Sequence, residues 1–116
     1  MTPLRVLTEP VTRSELATLA EPGFGDMVKA VVDVRRGVMA IGGELHSDEE
    51  AALLDDGSDQ EDLWGINLYP EEADDAMIEY DSMINVRPSQ GNRSRDVEDE
   101  ALRGAIRAVV ARWVTE

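Results

Sequence analysis

Cysteine is absent from the 116 residues. That excludes a disulfide framework, a thiolate metal centre and a cysteine nucleophile. Histidine occurs once, at His46, so no paired-histidine zinc motif can form. Lysine also occurs once, at Lys29, against ten arginines. Aromatic residues are few (Phe24, Trp64, Trp113, Tyr69 and Tyr80), which leaves aliphatic side chains and alanine to build the core. No apolar run reaches the roughly 20 residues that cross a bilayer, and the first residues carry no signal-peptide pattern. Ser82 lacks the flanking glycines of a hydrolase elbow. No Walker loop or dinucleotide fingerprint is present. These absences lead us to expect one domain over residues 1–116, with a cytoplasmic location, no membrane association and no cofactor.

Acidic residues are abundant, and the formal net charge is −14. Between Gly37 and Val86 there are fifteen acids and no lysine or arginine. Such a surface repels nucleic-acid phosphates. It favours solubility, or attracts cations or a basic partner.

Along the chain, Leu4–Leu7 reads as an edge strand. Thr12 and Glu15 form a capping box for a helix to about Ala20. Val28–Val34 and Val38–Ile41 read as a hairpin joined at Arg35-Arg36-Gly37, apolar on both faces and therefore central. Ser47 and Glu50 look like a second capping box, opening a helix from Asp48 to Leu54 or Asp55. Leu63–Tyr69 is a strand. Pro70–Asp75 is an acidic loop, expected to be the most mobile segment. Met77–Arg87 reads as the longest strand, followed by a loop and a helix from Asp96 or Asp99 that carries Leu102, Ile106, Val109, Val110 and Trp113 at helical spacing. The order predicts an α+β fold: a mainly antiparallel sheet of about five strands, with three helices packed on one side. The alternative is an α/β arrangement with some parallel pairing.

The polar stretch Asp81–Arg95 holds the densest set of candidate site residues. Read as a strand, Glu79, Asp81, Asn85 and Arg87 project together. The loop that follows adds Gln90, Asn92, Arg93 and Arg95. Asn85, Arg87, Gln90, Asn92 and Arg93 thus form a candidate ligand-binding set for an anionic small molecule, held by guanidinium groups and backbone N–H groups at a helix start. The competing reading makes the arginines internal counter-charge for the acidic middle. His46, Glu44 and Asp81 are candidate catalytic groups, because a lone histidine beside carboxylates can act as acid or base near neutral pH. Asp33 in the hairpin needs a partner if buried, with Arg87 or Lys29 in reach. Carboxylate binding of a divalent cation by Glu44, Asp48 or Asp81 lacks any EF-hand spacing, so no metal site is assigned.

Four motifs in order are Gly25-Asp26-Met27-Val28-Lys29-Ala30-Val31-Val32-Asp33, Gly42-Gly43-Glu44-Leu45-His46, Trp64-Gly65-Ile66-Asn67-Leu68-Tyr69-Pro70, and the run from Asp81 to Ser94. Together they resemble a family of short prokaryotic proteins known as a domain of unknown function. The resemblance spans about residues 4 to 115. It implies a stand-alone single-domain protein and brings no reaction, cofactor or catalytic residue. Two functional classes follow from the residues themselves: a binding protein with a polar pocket, or a non-enzymatic interaction protein. The second would use its acidic surface, a homodimer through a sheet edge, or the helix of Trp113.

Overall fold

The computed structural model describes residues 4–73 and 76–116. Its seven strands are β1 (Arg5–Val6), β2 (Val11–Thr12), β3 (Val28–Asp33), β4 (Val38–Ile41), β5 (Leu63–Leu68), β6 (Ile78–Glu79) and β7 (Val114–Thr115). Its three α-helices are α1 (Arg13–Ala20), α2 (His46–Asp55) and α3 (Glu100–Trp113). The main sheet has the order β1-β4-β3-β5-β6 and is antiparallel throughout. The fold is α+β, as the element order predicts. Among the described residues, parallel pairing occurs only where β2 meets β7, Val11 opposite Val114 and Thr12 opposite Thr115. That short ladder ties the start of α1 to the end of α3.

β3 is the central strand because its valines are apolar on both faces. Val28, Ala30 and Val32 join Ile66, Leu68, Met39 and Ile41 in the larger core, beneath Leu16 of α1 and Ile106, Val109, Val110 and Trp113 of α3. Val31 points the other way, into a smaller cluster with Ala40, Leu63 and Leu53 of α2. The helices therefore cover both faces of the sheet, not one. A strand with no polar face leaves two apolar surfaces to cover, and α2 covers the second.

The β3–β4 turn is built on Asp33. This fully buried carboxylate accepts from the backbone N–H of Arg35 and Arg36, both at 2.8 Å, and from the Ser58 hydroxyl at 2.6 Å. Neither Arg87 nor Lys29 is its partner; backbone donors and a hydroxyl take the place of a counter-ion. Gly37 follows at φ 68°, the left-handed value that suits glycine. The Trp113 indole N–H donates to the Gly37 carbonyl at 2.7 Å, so α3 is pinned to the same turn.

Thr12 caps α1 as expected, accepting from the Glu15 N–H at 3.0 Å. The second capping box does not form. α2 begins at His46, with Leu45 at the cap position and no side-chain cap bond. The pull is tertiary: His46 is buried and its Nε2 lies 2.7 Å from the Ile66 carbonyl, which draws the helix start two residues earlier. For α3, Asp99 is the cap, accepting from the Ala101 N–H at 2.9 Å. Asp74 and Asp75, within the loop expected to be mobile, lie outside the described residues.

The expected Met77–Arg87 strand is the largest correction. Only Ile78–Glu79 pairs with β5. The chain then leaves the sheet, Ser82 caps a 3-10 turn over Met83–Asn85, and a second such turn covers Pro88–Gln90. The polar alternation of Glu79, Asp81, Asn85 and Arg87 suggests a strand, but the 3-10 turn has three residues per turn and buries Ser82 and Asn85, three apart. Ser82 and His46 both close over Gly65 of β5. A Cβ built there would lie 2.6 Å from the Ser82 side chain and 3.2 Å from His46 Cγ. Ser82 is buried and has no room to yield. Gly65→Ala should therefore cost about 1–3 kcal/mol of stability by overpacking. Urea denaturation measures this, and a loss below about 0.5 kcal/mol would contradict the packing described.

Candidate functional site

Departure of the chain from the sheet after Glu79 leaves the outer edge of β5 without a strand. Side chains replace it. Asn85 is fully buried, and its Oδ1 accepts from the Gly65 N–H at 2.8 Å. Its Nδ2 donates to the Gly65 carbonyl at 2.9 Å and to the Arg95 carbonyl at 3.0 Å. One amide thus satisfies both backbone groups of Gly65, as a paired strand would. Arg87 continues the edge. Its guanidinium donates to the carbonyls of Leu63, Ile84 (2.9 Å) and Gln60 (2.8 Å), and lies 4.4 Å from the Trp64 ring centroid. Gln90 accepts from Arg87 at 3.2 Å and donates to the Glu61 carbonyl at 3.0 Å.

Asn92 locks the loop on itself. Its Nδ2 donates to the carbonyls of Asn85 (2.7 Å), Ser94 (3.1 Å) and Asp96 (2.7 Å), and its Oδ1 accepts from the Glu98 N–H at 2.9 Å. At Arg93 the backbone N–H donates to Glu98 at 3.1 Å. Asp81 pairs with Arg95 at 2.7 Å. Of the sequence-derived set, then, Asn85, Arg87, Gln90 and Asn92 are brought together, with their polar atoms directed at backbone groups of this chain. The counter-charge reading holds for Arg95. Arg87 neutralises backbone dipoles rather than an acid, and burial lowers its pKa while nearby Glu50 raises it.

Leaving this latch, the α2 face of the sheet carries a second polar group. The register places Lys29 of β3 opposite Asn67 of β5, and Asn67 opposite Glu79 of β6. Asn67 donates to Glu79 at 2.8 Å and to the Asp81 carbonyl at 3.2 Å, while its own Oδ1 is buried with no donor among the described residues. The inward face of α2 lays His46 and Glu49 over this region, one turn before Leu53. Burial lowers the pKa of His46, opposed by the Ile66 carbonyl, and the charge of Lys29 lowers it further. The ring is therefore neutral at pH 7 and donates through Nε2 to Ile66.

Glu49 was not singled out by sequence reasoning, which placed it among helix-start acids. Its spacing from His46 and Leu53 was the available signal, since residues three and four apart share a helix face. The carboxyl is fully buried. Oε2 accepts from the Gly43 N–H at 3.0 Å, and Oε1 has no partner among the described residues. Burial pushes its pKa up to about 9, against the opposing Gly43 bond and the charge of Lys29.

Beside this cluster lies a cavity of about 140 Å³. Leu19, Phe24, Met27 and Val28 form its apolar wall, Gly42 and Gly43 its floor, and Lys29 and Glu44 its charged groups. The Lys29 ammonium sits 5.1 Å from the Phe24 ring centroid. Among the described residues it makes no hydrogen bond and no ion pair. Six arginines, by contrast, hold carboxylates within 4.0 Å. The sequence marks Lys29 as the sole lysine and as a candidate partner of Asp33, and gives no sign that it lines a cavity. Glu44, expected beside His46, stays exposed at the cavity while His46 turns inward. The three candidate catalytic groups thus occupy separate settings: a cavity rim, a buried helix start and an ion pair. Three acids, the exposed Asp59 and Glu61 and the half-buried Asp62, also approach one another, but Asp59 and Asp62 both hold Arg35. Among the described residues no helix is long and apolar enough to cross a membrane.

Fold and site define a small α+β protein with a latched sheet edge and a single unpaired lysine in a cavity. The chain belongs to the family described as "Protein of unknown function (DUF5674)", whose model matches residues 5–113. No curated protein and no solved structure matches it.

Two measurements follow from this geometry. Asn85→Ala leaves both backbone groups of Gly65 buried and unpaired, at about 1–3 kcal/mol each. It should lose at least about 2 kcal/mol in chemical denaturation, whereas exposed Gln90→Ala stays within about 0.5 kcal/mol. Equal losses would contradict the edge-closing role. For Glu49 the folded state holds a proton that the unfolded chain releases near pH 4.5. Its contribution to stability is therefore complete below about pH 4.5 and is lost as pH rises through about 9. Unfolding free energies at pH 5, 7 and 9 should show Glu49→Gln gaining steadily on the wild type, and parallel curves would contradict a buried neutral carboxyl.

Proposed function

We propose that this protein is a small binding protein that takes an anionic small molecule in the cavity at Lys29. The observation that carries the reading is the unpaired ammonium. In a chain of net charge −14, the half-buried Lys29 has no carboxylate partner among the described residues, whereas six of the ten arginines hold one. A cation held by the central strand, against an aromatic ring and an apolar wall, suits a ligand with one negative group and an apolar body. Polar groups that orient a ligand are few in such pockets and are held by rigid elements, as β3 holds Lys29.

This places the anion site away from Asn85, Arg87, Gln90, Asn92 and Arg93. Asn85, Arg87, Gln90 and Asn92 hold the sheet edge and its loop, and so support the face on which Lys29 and Asn67 stand. The reading assigns no reaction. Titration of the ¹⁵N-labelled protein with isovalerate or benzoate tests it. The amides of Lys29, Gly42 and Gly43 should shift in a saturable way, and Lys29→Gln should abolish the response while keeping the fold. Bound ligand should also stabilise the wild type by about 2.7 kcal/mol at a hundredfold excess over Kd. An identical response in Lys29→Gln, or none in the wild type, overturns the reading.

A further inference from the structure

The cavity carries two opposite charges that do not pair. Lys29 and Glu44 both line it, yet no bond of 4.0 Å or less joins them, and Glu44 makes no hydrogen bond among the described residues. An exposed ion pair gains little in water, so the two groups stay apart and both are open to a ligand. Resting on the reading that Lys29 anchors an anion, we infer that the ligand is a zwitterion: a free α-amino acid with a short apolar side chain. Its carboxylate meets Lys29, its ammonium meets Glu44, and its side chain lies against Leu19, Phe24 and Met27.

Charge and size favour this class over others. A phosphate dianion is bound by several N–H donors or by arginine. Here a single ammonium is on offer, and the nearby Gly43 N–H is already given to Glu49. A dianion would also bring uncompensated charge into a strongly negative protein. A zwitterion adds no net charge, so the field of the acidic surface does not oppose its approach. The cavity volume of about 140 Å³ is close to the size that admits a benzene-sized body. That suits the side chain of leucine or valine and excludes a nucleotide. The charged groups sit on different supports: Lys29 on the central strand, and Glu44 on the loop between β4 and α2, where it can adjust.

The class is tested by comparing L-leucine with 4-methylpentanoate, which lacks the amine, isopentylamine, which lacks the carboxylate, and inorganic phosphate. Each is titrated at pH 7 with the amide shifts of Gly42, Gly43 and Lys29 as readout. L-leucine should bind at least tenfold more tightly than either truncated analogue. Glu44→Gln should reduce leucine to the level of 4-methylpentanoate and leave the latter unweakened. Lys29→Gln should weaken both. Equal binding of leucine and 4-methylpentanoate, unaffected by Glu44→Gln, overturns the zwitterion while leaving the anion site standing. Tightest binding by phosphate has the same consequence. No response to any of the four overturns both.

Discussion

The side-chain amide of Asn85 against the backbone of Gly65 is the interaction on which the rest of this structure depends. β5 is buried along its whole length, yet β6 pairs with only its last two residues. The remaining edge would otherwise present buried N–H and C=O groups with no partners, each a costly defect. Asn85 supplies an acceptor and a donor at the spacing of a neighbouring strand, and Arg87 covers the Leu63 carbonyl two residues away. Asn92 fixes Asn85 in turn by binding its carbonyl. Gly65 is required because Ser82 and His46 come so close above it. The closed edge is covered as well as satisfied, which also removes a template for pairing between chains.

From that edge the binding face follows. The latch fixes β5, β5 holds Asn67 opposite Lys29, and β3 presents Lys29 to the cavity floored by Gly42 and Gly43. α2 closes the other side through His46 and Glu49, one neutral because burial depresses its basicity and one because burial suppresses its ionisation. With His46 and Glu49 both neutral, Lys29 is the cation of this face, and Glu79, held by Asn67, is an acid on it. Elsewhere four acids of the middle are held by arginine: Asp62 and Asp59 by Arg35, Asp56 by Arg36, and Asp81 by Arg95. Lys29 stands outside that pairing.

The core was legible in the sequence because its periodicities are strong. The valines of β3 marked a central strand covered on both faces, and the spacing from Ile106 to Trp113 marked the buried stripe of α3. Thr12 and Glu15 announced α1 correctly, since that cap is local chemistry. Ser47 and Glu50 announced α2 wrongly, because burial of His46 outweighed a local cap. The Asp81–Arg95 stretch was recognised as special, but its role was not. Asparagine and arginine that bind a ligand cannot be told in sequence from those that bind the chain's own carbonyls. The difference lies in which backbone groups the fold leaves open, and the gap beside Gly65 exists only once β6 ends at Glu79. Glu49 went unmarked, and Lys29 was marked only as the sole lysine and a candidate partner of Asp33, because each looks ordinary in its own segment. Only the pairing of β3 with β5, and the tilt of α2 across them, brings the two near each other.

Because lysine occurs once, selective labelling with ¹⁵N-lysine yields a single side-chain ammonium signal. Observing that signal at low temperature while a small apolar amino acid is added measures the anchor itself. The account predicts a saturable shift of the Lys29 resonance, with slowed exchange of its protons as the ammonium gains a carboxylate partner. A resonance unchanged through the titration, in a protein shown to remain folded, would contradict the claim that Lys29 anchors a ligand in this cavity.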